Sequence, residues 1–301
     1  MTAQQRSSFF THPYLLLTLT VLFWSGNMVV GRGLRDAIPP MTLALGRWTL
    51  AFLLTLPLAW PHRQGLKGIP ARKWGILLVL GTLGVGAYNT LAYIALSYTT
   101  ATNAALLNSF IPIAIIALSW GLGHRARPLE LLGVLVSFAG VMNIVGRGDI
   151  QVLAGLSLNV GDLWMLAAVL SWAVYTLCLQ WRPAGLHPMA MLAVLTAIGL
   201  LELLPLAWLE LARGAHLEPH WGTALGVVYT GVFPAFLGYI FYNRAVGEVG
   251  ASRAGLFIHL MPVFSTLLAM VFLGEAPHLY HLVGIGLILS GIWLTTRVAR
   301  R

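Results

Sequence analysis

Leu56-Pro57-Leu58-Ala59-Trp60 recurs as Leu204-Pro205-Leu206-Ala207-Trp208, 148 residues further on, and this repetition decides how the chain folds. Outward from it, other matches keep almost the same spacing. Trp24 pairs with Trp172, and Pro40-Met41 with Pro188-Met189, both at 148. Trp74-Gly75 pairs with Trp221-Gly222 at 147, and Pro112 with Pro262 at 150. Leu122-Gly123 pairs with Leu273-Gly274, and Gly133 and Gly140 with Gly284 and Gly291, all at 151. Each match alone is weak. An ordered series with a drift of only four residues marks a duplication, with one copy in residues 1–150 and the other in 151–301.

Composition says what was duplicated. Of 301 residues, 58% are hydrophobic and only 9% charged, against roughly 25% charged in soluble domains. Mean hydropathy is +0.82. An ordinary soluble enzyme, a disordered chain and a disulfide-stapled secreted domain are excluded. A bilayer-crossing helix needs about 20 mostly apolar residues. Such segments fall at about 13–31, 41–60, 74–97, 102–122, 129–146, 159–181, 188–211, 221–243, 251–273 and 279–297. They are too long and too uniformly apolar for barrel strands. The expected fold is an all-α polytopic membrane protein whose ten transmembrane helices form a 5+5 inverted repeat. Five is odd, so the second copy must enter the membrane upside down.

The net charge of +9 and a pI near 10.2 suit membrane topology better than nucleic-acid binding. Thirteen Lys and Arg fall in the loops on the amino-terminal side, among them Arg6, Arg63, Lys67, Arg125 and Arg300. Four (Arg32, Arg35, Arg147 and Arg213) fall on the other. That bias places both termini in the cytoplasm. The first apolar segment, Tyr14 to Val30, has no cleavage signal and reads as a retained helix. The single cysteine, Cys178, permits neither an internal disulfide nor a cysteine metal site. No carboxylate cluster suggests a metal, and no motif calls for a cofactor.

Inverted repeats recur in secondary transporters, where the substrate site lies between the copies near the midplane. Phe23-Trp24-Ser25 with its counterpart Ser171-Trp172-Ala173, Pro112 and Pro262 in the fourth and ninth spans, and the closing Leu273-Gly274-Glu275 resemble the EamA branch of the drug/metabolite transporter (DMT) superfamily. The resemblance covers almost the whole chain. It implies a ten-helix exporter of amino acids, aromatic ones included, or other small metabolites, in the bacterial inner membrane. In the first copy, His124-Arg125 stands where the family's Leu-Gly-Glu would continue, so Glu275 has no symmetric partner.

Polar groups within the bilayer are costly unless paired or facing a cavity, which selects the candidate residues. Asn108 and Ser109 precede Pro112, and His259 precedes Pro262, at equivalent places in the two copies. Proline inside a span bends the helix and frees carbonyls, so these three are expected at the repeat interface. Trp24 and Asn27 match Trp172 and Tyr175, each pair on one helix face. Tyr88, Asn89 and Tyr93 in span 3, and Tyr239 in span 8, add aromatic and polar surface. Together they could line an amphipathic cavity. Tyr14, Trp60, Trp74, Trp208 and Trp221 lie at span ends and read as an interfacial belt.

Three residues could handle charge. Arg47 lies six residues into span 2, about 9 Å deep. It could take a substrate carboxylate, snorkel to the headgroups, or form a structural pair, with the last two favoured. Glu202 could carry a coupling proton or pair with Arg47, and His259 could titrate near neutral pH. The glycines Gly222 and Gly226 read as intramolecular packing, so a monomer is expected.

The rival classes are weaker. Gly146-Arg147-Gly148-Asp149 matches the GxGD of intramembrane aspartyl proteases, but the other aspartates, Asp36 and Asp162, sit at span edges. A channel would want a charged ring or carbonyl filter, and neither is visible. The sequence therefore predicts no catalytic residue. It predicts an exporter of small amphipathic metabolites, amino acids foremost, working by alternating access through a central cavity.

Overall fold

The computed structural model describes residues 12–34, 36–99, 101–124, 126–155, 159–273 and 276–297. Arg6, Arg35, Arg125, Gly274, Glu275, Arg300 and Arg301 lie outside the described residues, so the acidic ending of the family motif is not placed. Among the described residues, ten helices are long and apolar enough to cross a membrane. Spans 1 to 5 are Pro13–Gly31, Pro40–His62, Ala71–Leu96, Asn103–Gly121 and Pro128–Val145. Spans 6 to 10 are Val160–Trp181, Pro188–Ala212, Trp221–Val249, Ala251–Phe272 and Leu279–Arg297.

Local chemistry sets the span ends. Pro13, Pro40, Pro128 and Pro188 open their helices, where a fixed φ helps and the missing N–H costs nothing. Asn159 caps span 6 by accepting from the N–H groups of Gly161 and Asp162. Span 8 is expected to stop near residue 243 but runs to Val249. The Arg244–Glu248 pair (2.9 Å) supports the extra turns, and Gly250, at φ 87°, ends them.

Four spans are interrupted, in equivalent pairs. Thr82–Ala87 of span 3 and Gly231–Leu237 of span 8 are π-helical. Span 4 breaks at Ser109–Phe110 and resumes as Ile111–Gly121, with Pro112 in its first turn. Span 9 tightens to a 3₁₀ turn over Phe257–His259 before Leu260–Leu273, which carries Pro262. The bends predicted from the two prolines are present. The π segments carry no comparable sequence mark.

Packing follows a pseudo-two-fold axis. Span 1 packs on spans 8 and 9 as span 6 packs on spans 3 and 4; span 2 pairs with span 7, and span 5 with span 10. The glycines of the duplication explain the last pair. A Cβ on Gly140 would stand 2.6 Å from the Gly284 carbonyl oxygen, and one on Gly133 would stand 2.6 Å from that of Gly291. Only glycine lets these backbones touch. Gly226 faces Leu34 and Val30 of the same chain, so this glycine packs inside the fold. Trp60, Trp74, Trp208 and Trp221 are exposed at span ends. Tyr14 departs from the belt reading: its ring stacks on Phe257 at 5.5 Å.

Gly140→Leu and Gly284→Leu should each destabilise the fold by about 1–3 kcal/mol through overpacking. The check is the melting temperature of detergent-purified protein; an unchanged value would contradict the glycine seam.

Candidate substrate cavity

The interruptions of spans 4 and 9 face each other across the repeat interface, and a cavity lies between them. Its lining comes from seven spans: Trp24, Asn27 and Met28; Arg47; Tyr88 and Asn89; Asn108 and Ile111; Trp172; Tyr239; and Ile258 and Met261. Its volume is about 40 Å³. That is room for about three waters, so the site is narrow in this conformation.

The lining obeys the duplication. Trp24 and Trp172 are equivalents, as are Asn89 and Tyr239, Asn108 and Ile258, and Ile111 and Met261. The copies have diverged in chemistry. The first contributes Asn27, Arg47, Asn89 and Asn108; in the second, Ile258 stands at the place of Asn108, and Met261 matches another apolar residue, Ile111. All the amides of the lining and its one charge come from the first copy.

Aromatic rings join the walls. Trp24 and Trp172 meet edge to face at 5.0 Å, and Trp172 also contacts Tyr88 at 5.0 Å and Tyr239 at 5.7 Å. The Tyr88 hydroxyl donates to Asn108 Oδ1 at 3.0 Å, and Asn89 Nδ2 donates to the Val85 carbonyl at 3.2 Å. Trp24 Nε1 donates to the Pro234 carbonyl at 3.1 Å. At the equivalent carbonyl in the first copy, Gly84, the donor is instead the Tyr239 hydroxyl. Trp172 Nε1 is left with only a loose contact to the Tyr242 hydroxyl. The two halves therefore satisfy equivalent carbonyls with different donors.

Arg47 does not snorkel. It is 3% exposed, its guanidinium lies 5.3 Å from the centre of the Trp48 ring, and Nη1 donates to Asn27 Oδ1 at 3.2 Å. Nor does it pair with Glu202, whose carboxylate accepts from Thr82 Oγ1 at 2.5 Å in the π segment of span 3. Trp48, fully buried and edge-on to Tyr239 at 4.7 Å, supports the site from beneath. Sequence reading missed it because it has no aromatic equivalent in the second copy.

Of the sequence-predicted residues, Trp24, Asn27, Arg47, Tyr88, Asn89, Asn108, Trp172 and Tyr239 come together at the cavity. Tyr93, Ser109, Tyr175, Glu202 and His259 do not line it. Tyr93 packs half-buried against the core. Tyr175 is fully buried and donates to Asn243 Oδ1 at 2.6 Å. His259 is fully buried, with Nε2 2.9 Å from the Ser109 carbonyl and Nδ1 2.8 Å from Ser137 Oγ. A carbonyl only accepts, so Nε2 carries the proton and Nδ1 takes the serine's. Met28, Ile111, Ile258 and Met261, unremarkable in sequence, also line the cavity, the last three beside the breaks in spans 4 and 9.

The protease pattern dissolves into capping. Asp149 is exposed, and its Oδ1 accepts from Gln151 N–H at 2.8 Å to start a short helix. Asp162 closes the cap of span 6 through Asn159 N–H at 2.9 Å and accepts from Thr99 Oγ1 at 2.6 Å. Among the described residues no group of three or more His, Cys, Asp and Glu could hold a metal.

The model of the EamA-like transporter family matches this chain twice, over residues 12–146 and 159–297. The chain belongs to the EamA-like transporter family. It is a multi-pass membrane transporter and not an enzyme. An "Uncharacterized transporter" of Archaeoglobus fulgidus is 30% identical over 94% of this chain and 96% of its own length. The Bacillus subtilis "Uncharacterized transporter YyaM" is 24% identical over 95% of this chain and 94% of its own. A "Probable terminal-alkyne amino-acid exporter" of Streptantibioticus cattleyicolor is 27% identical over 93% of this chain and 92% of its own. A solved crystal structure matches with a TM-score of 0.78 at 22% identity, over 96% of this chain and 98% of that one, which speaks for the fold alone.

His259→Ala should act on stability. It leaves the Ser109 carbonyl and Ser137 hydroxyl buried without a partner, at about 1–3 kcal/mol each. Melting curves should fall, while substrate affinity of the folded fraction holds; loss of affinity at an unchanged melting temperature would place His259 in the binding site.

Proposed function

We propose that this transporter exports small amphipathic metabolites, amino acids foremost and aromatic ones among them, across the bacterial inner membrane. The observation that carries this reading is the cavity between the copies, lined by amides and a guanidinium from the first copy, apolar side chains and aromatic rings from both. Rings contact an apolar side chain, while amides and the guanidinium fix a polar end. The amino-acid exporter among the relatives supports the substrate class. Trp24, Asn27, Tyr88, Asn89, Asn108, Trp172 and Tyr239 would form the binding surface, with Arg47 at its charged end.

The mechanism we infer is alternating access, with residues 1–150 and 151–301 as the two exchanging units. Both termini lie in the cytoplasm, following the Lys and Arg bias of the loops. Two equivalent units held in unequal states can exchange those states and so exchange the open side. The unequal tryptophans support this. In the exchanged state Trp172 would take the Gly84 carbonyl, Tyr239 would give it up, and Trp24 would release Pro234. His259 and Glu202, both engaged elsewhere, are not needed for binding in this scheme.

Purified protein in liposomes should show saturable counterflow of labelled aromatic amino acids. Trp172→Ala, which removes a buried ring worth about 1.5–3 kcal/mol, should lower the initial rate roughly 10-fold or more. Non-saturating flux, or an unchanged rate in the variant, would refute this reading.

The exchange itself is open to a separate test. Trp24→Phe removes a hydrogen bond made in the present state, worth about 1 kcal/mol, and should shift the two-sided equilibrium about fivefold. Trp172→Phe should shift it in the opposite direction. Labelling of single cysteines on each face, in a Cys178→Ser background, reads the shift; equal effects of the same sign would exclude the exchange.

A further inference from the structure

The charge of the cavity narrows the substrate class further. Among its lining residues Arg47 is the one permanent charge, and none is an acid. The guanidinium is only partly engaged. Nη1 is spent on Asn27, whereas Nε is buried without an acceptor and Nη2 has no hydrogen bond among the described residues. Nε and Nη2 form the side-on fork that fits both oxygens of a carboxylate. A buried guanidinium whose fork is empty is costly in a low-dielectric site, and a bound anion removes that cost.

One further feature has the same sign. Trp172 Nε1 adds a neutral donor with no well-placed acceptor. Nothing in the lining offers a countercharge to an ammonium group.

Resting on the proposed function, we infer that the cavity is a carboxylate site: the substrate is held by its carboxylate on the Nε–Nη2 fork of Arg47. The carboxylate is obligatory, and a charged amine adds nothing to binding. Molecules of amino-acid type whose amine is acylated or absent bind at least as well as the free amino acid. Those whose carboxylate is amidated are rejected. Arg47 is thus the residue that sets specificity, and the ring cluster only sorts side chains.

A four-member series on one scaffold tests this on the whole protein in detergent. The ligands are indole-3-propionate, N-acetyltryptophan, tryptophan and tryptophanamide, and the readout is the ligand-induced rise in melting temperature as a function of concentration. The three carboxylates should bind at least roughly 10-fold more tightly than the amide, as expected for a charged hydrogen-bonded pair. Arg47→Gln should erase that difference, and Arg47→Lys should restore part of it. The wild-type series stands even if a variant fails to fold. An amide that binds as well as the acids overturns the carboxylate assignment but leaves amphipathic export standing. Acid preference retained in folded Arg47→Gln also overturns the assignment. No response to any of the four overturns both readings.

Discussion

A backbone carbonyl freed inside a membrane must find a donor, and this molecule finds its donors across the repeat interface. The π segments of spans 3 and 8 and the interruptions of spans 4 and 9 all release carbonyls where no water is expected. The first copy's carbonyls are met from the second: Ser171 donates to Leu83, Tyr239 to Gly84, and His259 to Ser109. The second copy's are met from the first, where Trp24 donates to Pro234 and Ser25 leans on Met261 at 3.3 Å. Part of this backbone is served within its own half, as Asn89 serves Val85, but these contacts leave each half dependent on the other. The same irregularity that opens a cavity therefore also binds the two copies together.

Duplication gave the scaffold, and divergence gave the site. An ancestral pair of identical walls would be suited to a symmetric ligand. Here Asn108 corresponds to Ile258, Asn89 to Tyr239, and Arg47 to Leu195. These differences leave the amides and the charge of the lining with the first copy. Under the proposed function, that asymmetry would give an amphipathic solute one orientation.

The fold was legible because its signals are long and redundant. Twenty-residue apolar runs, proline openings and a repeated series of glycines and tryptophans all agree, and the spans fall where those signals put them. The site was legible only in part. Repeat symmetry points to Trp24 and Trp172, and the place before Pro112 points to Asn108. Arg47 was misread because depth in a span says nothing about which way a long side chain turns, and only the ring of Trp48 and the amide of Asn27 decide it. His259 looked like a site residue because it is polar and next to a proline, yet the break in span 4 presents the Ser109 carbonyl to it. The 3₁₀ turn of span 9 leaves no compositional trace of which side chains it turns inward, so Ile258 and Met261 could not be placed at a cavity beforehand.

Spans 5 and 10 contribute nothing to the cavity lining, and this division fits the energetics. Holding a guanidinium with an empty fork in the membrane costs free energy that some other part of the fold must offset. The glycine seam of spans 5 and 10, backbone against backbone, is placed to do so, because its contacts do not depend on the cavity. Thr295 and Ser137 add to the seam, standing against Gly133 and Gly291, and His259 ties it to the interruption of span 4 through Ser137. In the proposed exchange of states, a seam whose contacts do not depend on the cavity would stay packed while the donors on the freed carbonyls change.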